Sequence, residues 1–446
     1  MIDPSSRPAL RAIESIAVPD PRHGRVLLLR DTQGVTDAHA IIPPELVPIV
    51  SRFTGESTCR EIARDASREL GIDVPVEAVV RLAEQLDEGL FLDGVRFRRA
   101  RDRIEREFAD ASVRPASHAG GAYHGDKGKL ETYLDRECLA HGTHAARGVH
   151  TKHRDGRRMV GLIAPHIDPW RGAVGYGHAY AALERGLAPE VDTFVIFGTS
   201  HAPMREHFAL CRKAFDTPLG AVPADLDAID TIAASAAFDP YADQFNHKRE
   251  HSLEFQVVFL KHLMKKRPFR IVPVLAGLGQ HQARGTDPAN DARASRFLDG
   301  IRDLVAKRGR RVVVVAGADM AHVGPRFGDR HPLGARERRA LEESDRASLA
   351  HAVTGDAAAF WADVAKDLET RRVCGLGPIY ALLRSLPNGR ARDKSPELRA
   401  SAGEAQKTRT ARTPRTTEAS ALLHYEQTVD AEDGSIVSHA ALGFYE

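Results

Sequence analysis

The sequence predicts an α/β protein: a mixed, largely parallel sheet covered by helices, preceded by a small α+β unit. Three observations predict it. Near-continuous apolar runs occupy 157–166, 191–201, 269–277 and 310–322, the pattern of strands buried on both faces. Segments with apolar residues at helical spacing separate those runs, as crossover connections between parallel strands require. The 446 residues are 42% hydrophobic and 28% charged, which supports two or three domains with cores of their own.

The small unit spans residues 1–100. RVLLLRDTQG (25–34) is a short apolar run closed by a turn signal, read as a strand or hairpin. STCREIARDASREL (57–70) has a Ser/Thr start followed by apolar residues at helical spacing. VPVEAVVRLAEQLDEGLFL (74–92) repeats the pattern, with Pro75 near its start and Gly89 near its end. GVRFRRA (94–100) reads as a closing strand. This order resembles a winged-helix or PqqD-like peptide-binding module. Acids and bases alternate along both helices, so no basic recognition face stands out, and a small docking or packing domain is the plainer reading. Residues 101–113 form a charged, helical linker.

The main unit, 114–446, alternates strand and helix. RRMVGLIAPH (157–166), VDTFVIFGTSH (191–201), FRIVPVLAG (269–277) and RRVVVVAGADMAH (310–322) are its strands. Residues 174–187, 251–266 and 294–308 are its helices. Residues 388–418 carry eight Lys/Arg, four Asp/Glu and a single large apolar residue, Leu398. Such a segment buries too little surface to offset its ordering entropy, so a disordered insertion is expected. ALLHYEQTV and SIVSHAALGFYE then return to the sheet as two more strands.

Composition narrows the function. A net charge of +2 gives no electrostatic case for nucleic acid. Mean hydropathy is −0.33, no apolar run is long enough to cross a membrane, and no secretory signal opens the chain. Four cysteines in no paired spacing fit a reducing cytoplasm. Histidine is the unusual residue: there are 21, and 17 of them lie between His118 and His351.

Three strand runs end in polar residues of one kind: Pro165-His166-Ile167-Asp168, Gly198-Thr199-Ser200-His201 and Gly317-Ala318-Asp319-Met320-Ala321-His322. Open α/β sheets bind ligands beyond the carboxyl ends of their strands, so these loops converge if the strands are neighbours. His251 and Glu254 are three residues apart and share one face of a helix. Any one such histidine is more often structural than a ligand. Four His-bearing segments together favour a metal site for iron, zinc or manganese, with a metal-free anion pocket as the alternative. Cys374 precedes a helix, but no base pairs with it from sequence, so a buried structural thiol is favoured. GYGHAY (175–180) lacks the third glycine of a dinucleotide fingerprint.

The ordered motifs resemble the Memo family, also called AmmeMemoRadiSam system protein B, over about residues 114–387 and 421–446. RPASHAGGAYHGDKGKLETYL is similar to the family's R-x-A-x-x-A-G-x-x-Y opening. IAPHIDPW matches its x-P-H segment, FVIFGTSHAP its G-x-S-H segment and FDTPLGAVPAD its T-P-L-G stretch. REHSLEFQVVFL matches E-H-S-x-E, GADMAHVG the S-D-x-x-H-x-G loop and VCGLGPIYALL the late C-G stretch. The resemblance implies a fold like that of class III extradiol dioxygenases. It implies that His166 and His201 are metal ligands and that His251, Glu254, Asp319 and His322 line the same pocket. It also implies a radical-SAM protein and an AMMECR1-like protein as partners. Two departures stand out. Ala321 occupies a position where some members carry Cys, so that position offers no thiolate. Ile167-Asp168 replaces the usual Ala-Gly, which makes Asp168 an added carboxylate ligand, a solvated loop residue or a partner of Arg171.

The leading expectation is thus a mononuclear redox site of iron or copper acting on O₂ or a substrate, with His251 or His322 as acid/base. Two alternatives remain: a non-catalytic module binding a peptide or anion in the same pocket, and zinc-type hydrolysis.

Overall fold

Short β-branched and leucine-rich stretches near the N-terminus form strands that precede the first helix along the chain. In the computed structural model, which describes residues 2–145, 157–278, 287–386 and 420–446, they make an antiparallel sheet of β1 (Glu14–Asp20), β2 (Gly24–Arg30) and β3 (His39–Ile42). Helices Cys59–Leu70 and Val76–Glu88 follow as expected. Thr58 and Glu61 form a reciprocal capping box at the first of them. Ile62, Ala66, Val79, Ala83 and Phe91 join Leu29 and Ile42 in a core belonging to this unit.

One element differs from expectation. The stretch read as a closing strand, 94–100, is instead the first two turns of a helix, Val95–Asp110, that runs through the linker. Phe97 and Phe108 are buried and Ile104 is half-buried on this helix, a spacing that only a helix puts on one face. The small unit therefore runs three strands, a single helical turn at Val47–Val50 and then three longer helices. Arg11 lies over the Phe97 ring at 4.6 Å and pairs with buried Asp31 at 2.9 Å, so the start of the helix packs on this unit, while Phe108 further along meets Phe245 and Lys213 of the main unit. A fragment of residues 1–111 is expected to melt cooperatively, whereas one ending at residue 93 should lose the transition, because it strands the Arg11–Asp31 pair in solvent. Circular dichroism of the two fragments checks this; equal melts would show that the helix contributes nothing to the unit.

A two-residue strand, β4 (Val113–Arg114), opens the main unit. Its remaining strands are β5 (Met159–Ala164), β6 (Thr193–Thr199), β7 (Phe208–Leu210), β8 (Ala214–Phe215), β9 (Arg270–Ala276), β10 (Val312–Gly317), β11 (Asp319–Val323), β12 (Ser420–Val429) and β13 (Ile436–Tyr445). β4 pairs with β8; the others form an eight-stranded sheet ordered β11-β13-β5-β10-β6-β9-β7, with β12 against β13. The four central strands, β5, β10, β6 and β9, are parallel, and the flanking pairs are antiparallel. The expected mixed, largely parallel sheet is present. The run 310–322 divides after Gly317: the chain crosses the end of β5 and pairs antiparallel with β13 as β11.

Alternation explains the layers. Val195 and Phe197 of β6 face a core with Phe297, Trp361 and Tyr380, while Phe194 and Ile196 face another with Tyr176, Phe255 and Phe259. The helix His251–Met264 belongs to the second layer and is pressed against two strand ends. A Cβ at Gly198 would stand 2.4 Å from Ser252 Oγ, and one at Gly317 would stand 2.3 Å from Ser252 O. These glycines let the helix start reach the carboxyl ends of β6 and β10. The insertion expected at 388–418 lies outside the described residues. Among the described residues, no helix is long and apolar enough to cross a membrane.

Candidate metal centre

Because β5, β10 and β6 are adjacent, the three polar loops predicted to converge do so. His166 follows β5 and is 2% exposed. Its Nδ1 lies 2.9 Å from Gly317 O, so this nitrogen carries a proton and Nε2 is the atom that faces the pocket. Its backbone N–H donates to Asp319 Oδ1 at 2.9 Å. His201 follows β6 and is a third exposed, at 33%. Its Nδ1 lies 3.0 and 3.1 Å from the two oxygens of Glu250, which also accepts its backbone N–H at 3.0 Å. Glu250 in turn caps the helix His251–Met264, accepting from Ser252 N at 2.9 Å. Carboxylate-oriented imidazoles of this kind are the usual supporting arrangement of metal ligands.

The group facing those imidazoles is Cys374, not the buried structural thiol that the sequence favours. Its Sγ is 3.2 Å from His166 Nε2. Thr199 Oγ1 donates to its carbonyl at 2.9 Å, and Gly375 N donates to Asp319 O at 3.0 Å, which ties this loop to the ends of β6 and β11. One ligand atom each from His166, His201 and Cys374 lies within 4.8 Å of the others; His201, Glu250 and His251 form a second such group. The thiolate denied at Ala321 thus arrives from a different element.

Electrostatics matches this geometry. Burial pushes the Cys374 thiol up, but His166 and His322 outweigh it and hold it well below the ordinary thiol value. Burial opposes protonation of His166, yet Cys374 and Asp319 raise its pKa to about 9. His201 is shifted the same way, well above its ordinary value, by Glu250 and Cys374 against burial. His251 moves oppositely: burial and its histidine neighbours hold it well below, so it is a neutral imidazole at the same pocket. Its ring stacks on His201 at 4.6 Å and lies 5.3 Å from His166.

The other expected residues divide. Asp319 holds the His166 backbone, and its Oδ2 stands 3.7 Å from Nε2. Burial opposes protonation of His322, but Cys374 and Asp319 raise its pKa; its Nδ1 is buried with no hydrogen-bond partner among the described residues. Glu254 is committed elsewhere. It pairs with buried Arg114, accepts from Tyr123 OH, and takes the backbone N–H groups of Ser117 and His118 at 3.2 and 2.9 Å. Its carboxylate anchors the segment 114–123 instead of facing the three-ligand group, although it orients His118, whose Nδ1 is 3.0 Å away and whose ring lies 5.7 Å from His251. Asp168 does not join the imidazoles. It caps the helix Pro169–Gly186 and pairs with Arg171 at 2.6 Å, the third of the roles its sequence allowed. Sequence reasoning passed over Cys374 as a ligand, Glu250 as the partner of His201, and His118.

The donor set fits a metal. The second nitrogens of two imidazoles face one point, where a bound cation would displace the protons that Cys374, Asp319 and Glu250 favour on the free rings, and a thiolate completes three donors soft enough for copper, zinc or iron. A family model described as Memo-like protein matches residues 114–442. A MEMO1 family protein of Aquifex aeolicus is 24% identical over 309 residues, covering 69% of this chain and 75% of that protein. A MEMO1 family protein of Thermus thermophilus is 29% identical over 296 residues, covering 66% and 78%. A MEMO1 family protein of Methanosarcina mazei is 28% identical over 227 residues, covering 51% and 73%. The match covers the whole His-bearing sheet and starts at Arg114, the residue that locks Glu254, so the chain belongs to the Memo-like protein family.

Proposed function

We propose that this protein is a metal-dependent oxidoreductase whose single ion is held by His166, His201 and Cys374. The observation that carries the reading is the meeting of these three donors, with the second nitrogen of each imidazole already bound. Two imidazoles and a thiolate favour copper, with iron next and zinc a weaker fit to redox work. A bound redox metal would supply one-electron chemistry on oxygen or an organic substrate. The protein's own groups do the rest. Glu250 keeps the His201 proton on Nδ1, and the Gly317 carbonyl does so for His166. His251, neutral and beside both, is placed to take a substrate proton. His322 brings a second nitrogen with no partner of its own among the described residues. The extradiol-dioxygenase likeness implied by the motifs supports a redox reading over a purely binding one. The radical-SAM and AMMECR1-like partners belong to the same proposal, as sources or consumers of the substrate.

The test is elemental analysis of full-length protein, made without an affinity His-tag and equilibrated with iron, copper and zinc in competition. Stoichiometric copper or iron is the expected result. Zinc alone would move the reading to hydrolysis, and no retained metal would overturn it. A second reading rests on the 3.2 Å contact of Cys374 with His166: a thiolate–imidazolium pair is also a nucleophile. It predicts rapid alkylation of Cys374 by iodoacetamide below neutral pH in protein that retains no metal.

A further inference from the structure

We propose that the cleft at the amino ends of β6, β9 and β10 is a second binding site, for a small anion carrying two or more phosphoryl groups. The cleft is a cavity of about 800 Å³ between the start of these strands and the end of the helix His251–Met264. That volume is within the range of small-molecule sites, roughly 300–1,000 Å³. It lies at the opposite end of the sheet from His166 and His201, about 20 Å away given strands of six or seven residues.

Its charge is lopsided. Asp192 and Asp225 at its wall are each neutralised, by Arg311 and Arg308. That leaves Lys261, Lys265, Lys266, Arg267 and Arg270 around the cavity, none with a carboxylate partner among the described residues, against Asp227 alone. The whole chain carries a net charge of only +2, so this excess is local. Lysines near a helix C-terminus partly answer the helix dipole, which accounts for Lys261 and Lys265. It does not account for Arg270, which starts a strand, or for Arg267, which lies beyond the helix. Arg267 is also held in place: its Nη2 donates to the carbonyls of Ala188, Pro189 and Val191 at 3.2, 3.1 and 3.3 Å. A guanidinium fixed through one nitrogen by backbone carbonyls, beside the exposed ammonium groups of Lys265 and Lys266, is chemistry suited to phosphoryl oxygens. The concave shape favours a compact ligand over a nucleic-acid strand, which needs an extended basic track.

Calorimetric titration of the full-length protein with tripolyphosphate at low ionic strength tests the proposal. One saturable site is expected. Arg270→Glu and Lys265→Glu, both exposed positions, should each weaken it about tenfold or more, the value of a lost charge-assisted hydrogen bond. Lys127→Glu, an exposed cation outside the cleft, should leave it unchanged. Metal content should be the same in all three variants. Absence of saturable binding overturns the site, as does equal weakening by all three substitutions. Binding confined to duplex DNA, with none of tripolyphosphate, would mark a nucleic-acid surface and overturn it too.

Discussion

Cys374→Ser is expected to weaken metal binding by more than the roughly 10–100-fold that loss of an outer hydrogen-bond partner costs. The reason is donor chemistry, since a serine hydroxyl stays protonated where the thiol does not. Cys374 is held as thiolate by His166 and His322, and a thiolate is the soft donor that selects copper, zinc or iron. The substitution leaves the fold intact, because Cys374 sits in a loop before the helix Leu376–Ser385 and outside the two cores. His166→Ala and His201→Ala should remove metal to a similar extent. Glu250→Gln should lose less, within the roughly 10–100-fold range, because it only orients His201 and caps a helix. Metal stoichiometry and affinity across these variants, with circular dichroism as the folding control, give the answer. Full retention of metal in both Cys374→Ser and His201→Ala would end the three-donor reading.

The central strands, the helices within 57–70, 74–92, 174–187, 251–266 and 294–308, and the two loop histidines were legible because each is a local pattern, whereas the short strands β1, β3, β7 and β8 and the helix Ala335–Val353 went unread. An apolar run followed by His needs no partner to be recognised, and β5, β6 and β9 begin and end within a few residues of the positions read from sequence, whereas the run read as one strand over 310–322 holds both β10 and β11. What was hidden depends on contacts between distant segments. Cys374 acquires its role from a 3.2 Å approach to His166, and nothing beside it in the chain announces a base. Glu250 is next to His251 in sequence, yet it serves His201. Glu254 shares a helix face with His251, as helical spacing demands, but periodicity cannot say that Arg114, Tyr123 and His118 claim its carboxylate. The helix Val95–Asp110 was misread at its start because GVRFRR alternates like a strand for six residues; only Phe108, further along the chain, reveals the helical stripe.

Arg114→Met is expected to destabilise the protein by about 3–5 kcal/mol near neutral pH, the cost of breaking a buried pair from one side. Both partners are out of water: the side chains are 0% and 1% exposed. Besides Glu254, Arg114 donates to the carbonyls of His247, Pro115 and Glu250, each at 2.9 Å, so its loss also leaves buried acceptors unsatisfied. The pH dependence has a definite sign. Burial raises the Glu254 pKa, but Arg114, His118 and Tyr123 overcome it and hold the carboxyl at about 2, below its ordinary value. Glu254 therefore contributes stability above the unfolded pKa, and that contribution is lost as pH falls toward about 2. Without Arg114 the carboxylate is a buried, undercompensated charge, and protonation relieves it. The deficit of the variant should thus be largest near neutral pH and smaller at about pH 4, where the carboxyl begins to take up its proton. Adding Glu254→Gln to Arg114→Met should recover part of the loss, which a double-mutant cycle by urea denaturation measures directly. A deficit below about 1 kcal/mol, the value of a solvent-exposed pair, would mean that the Arg114–Glu254 contact does not anchor the segment carrying His118.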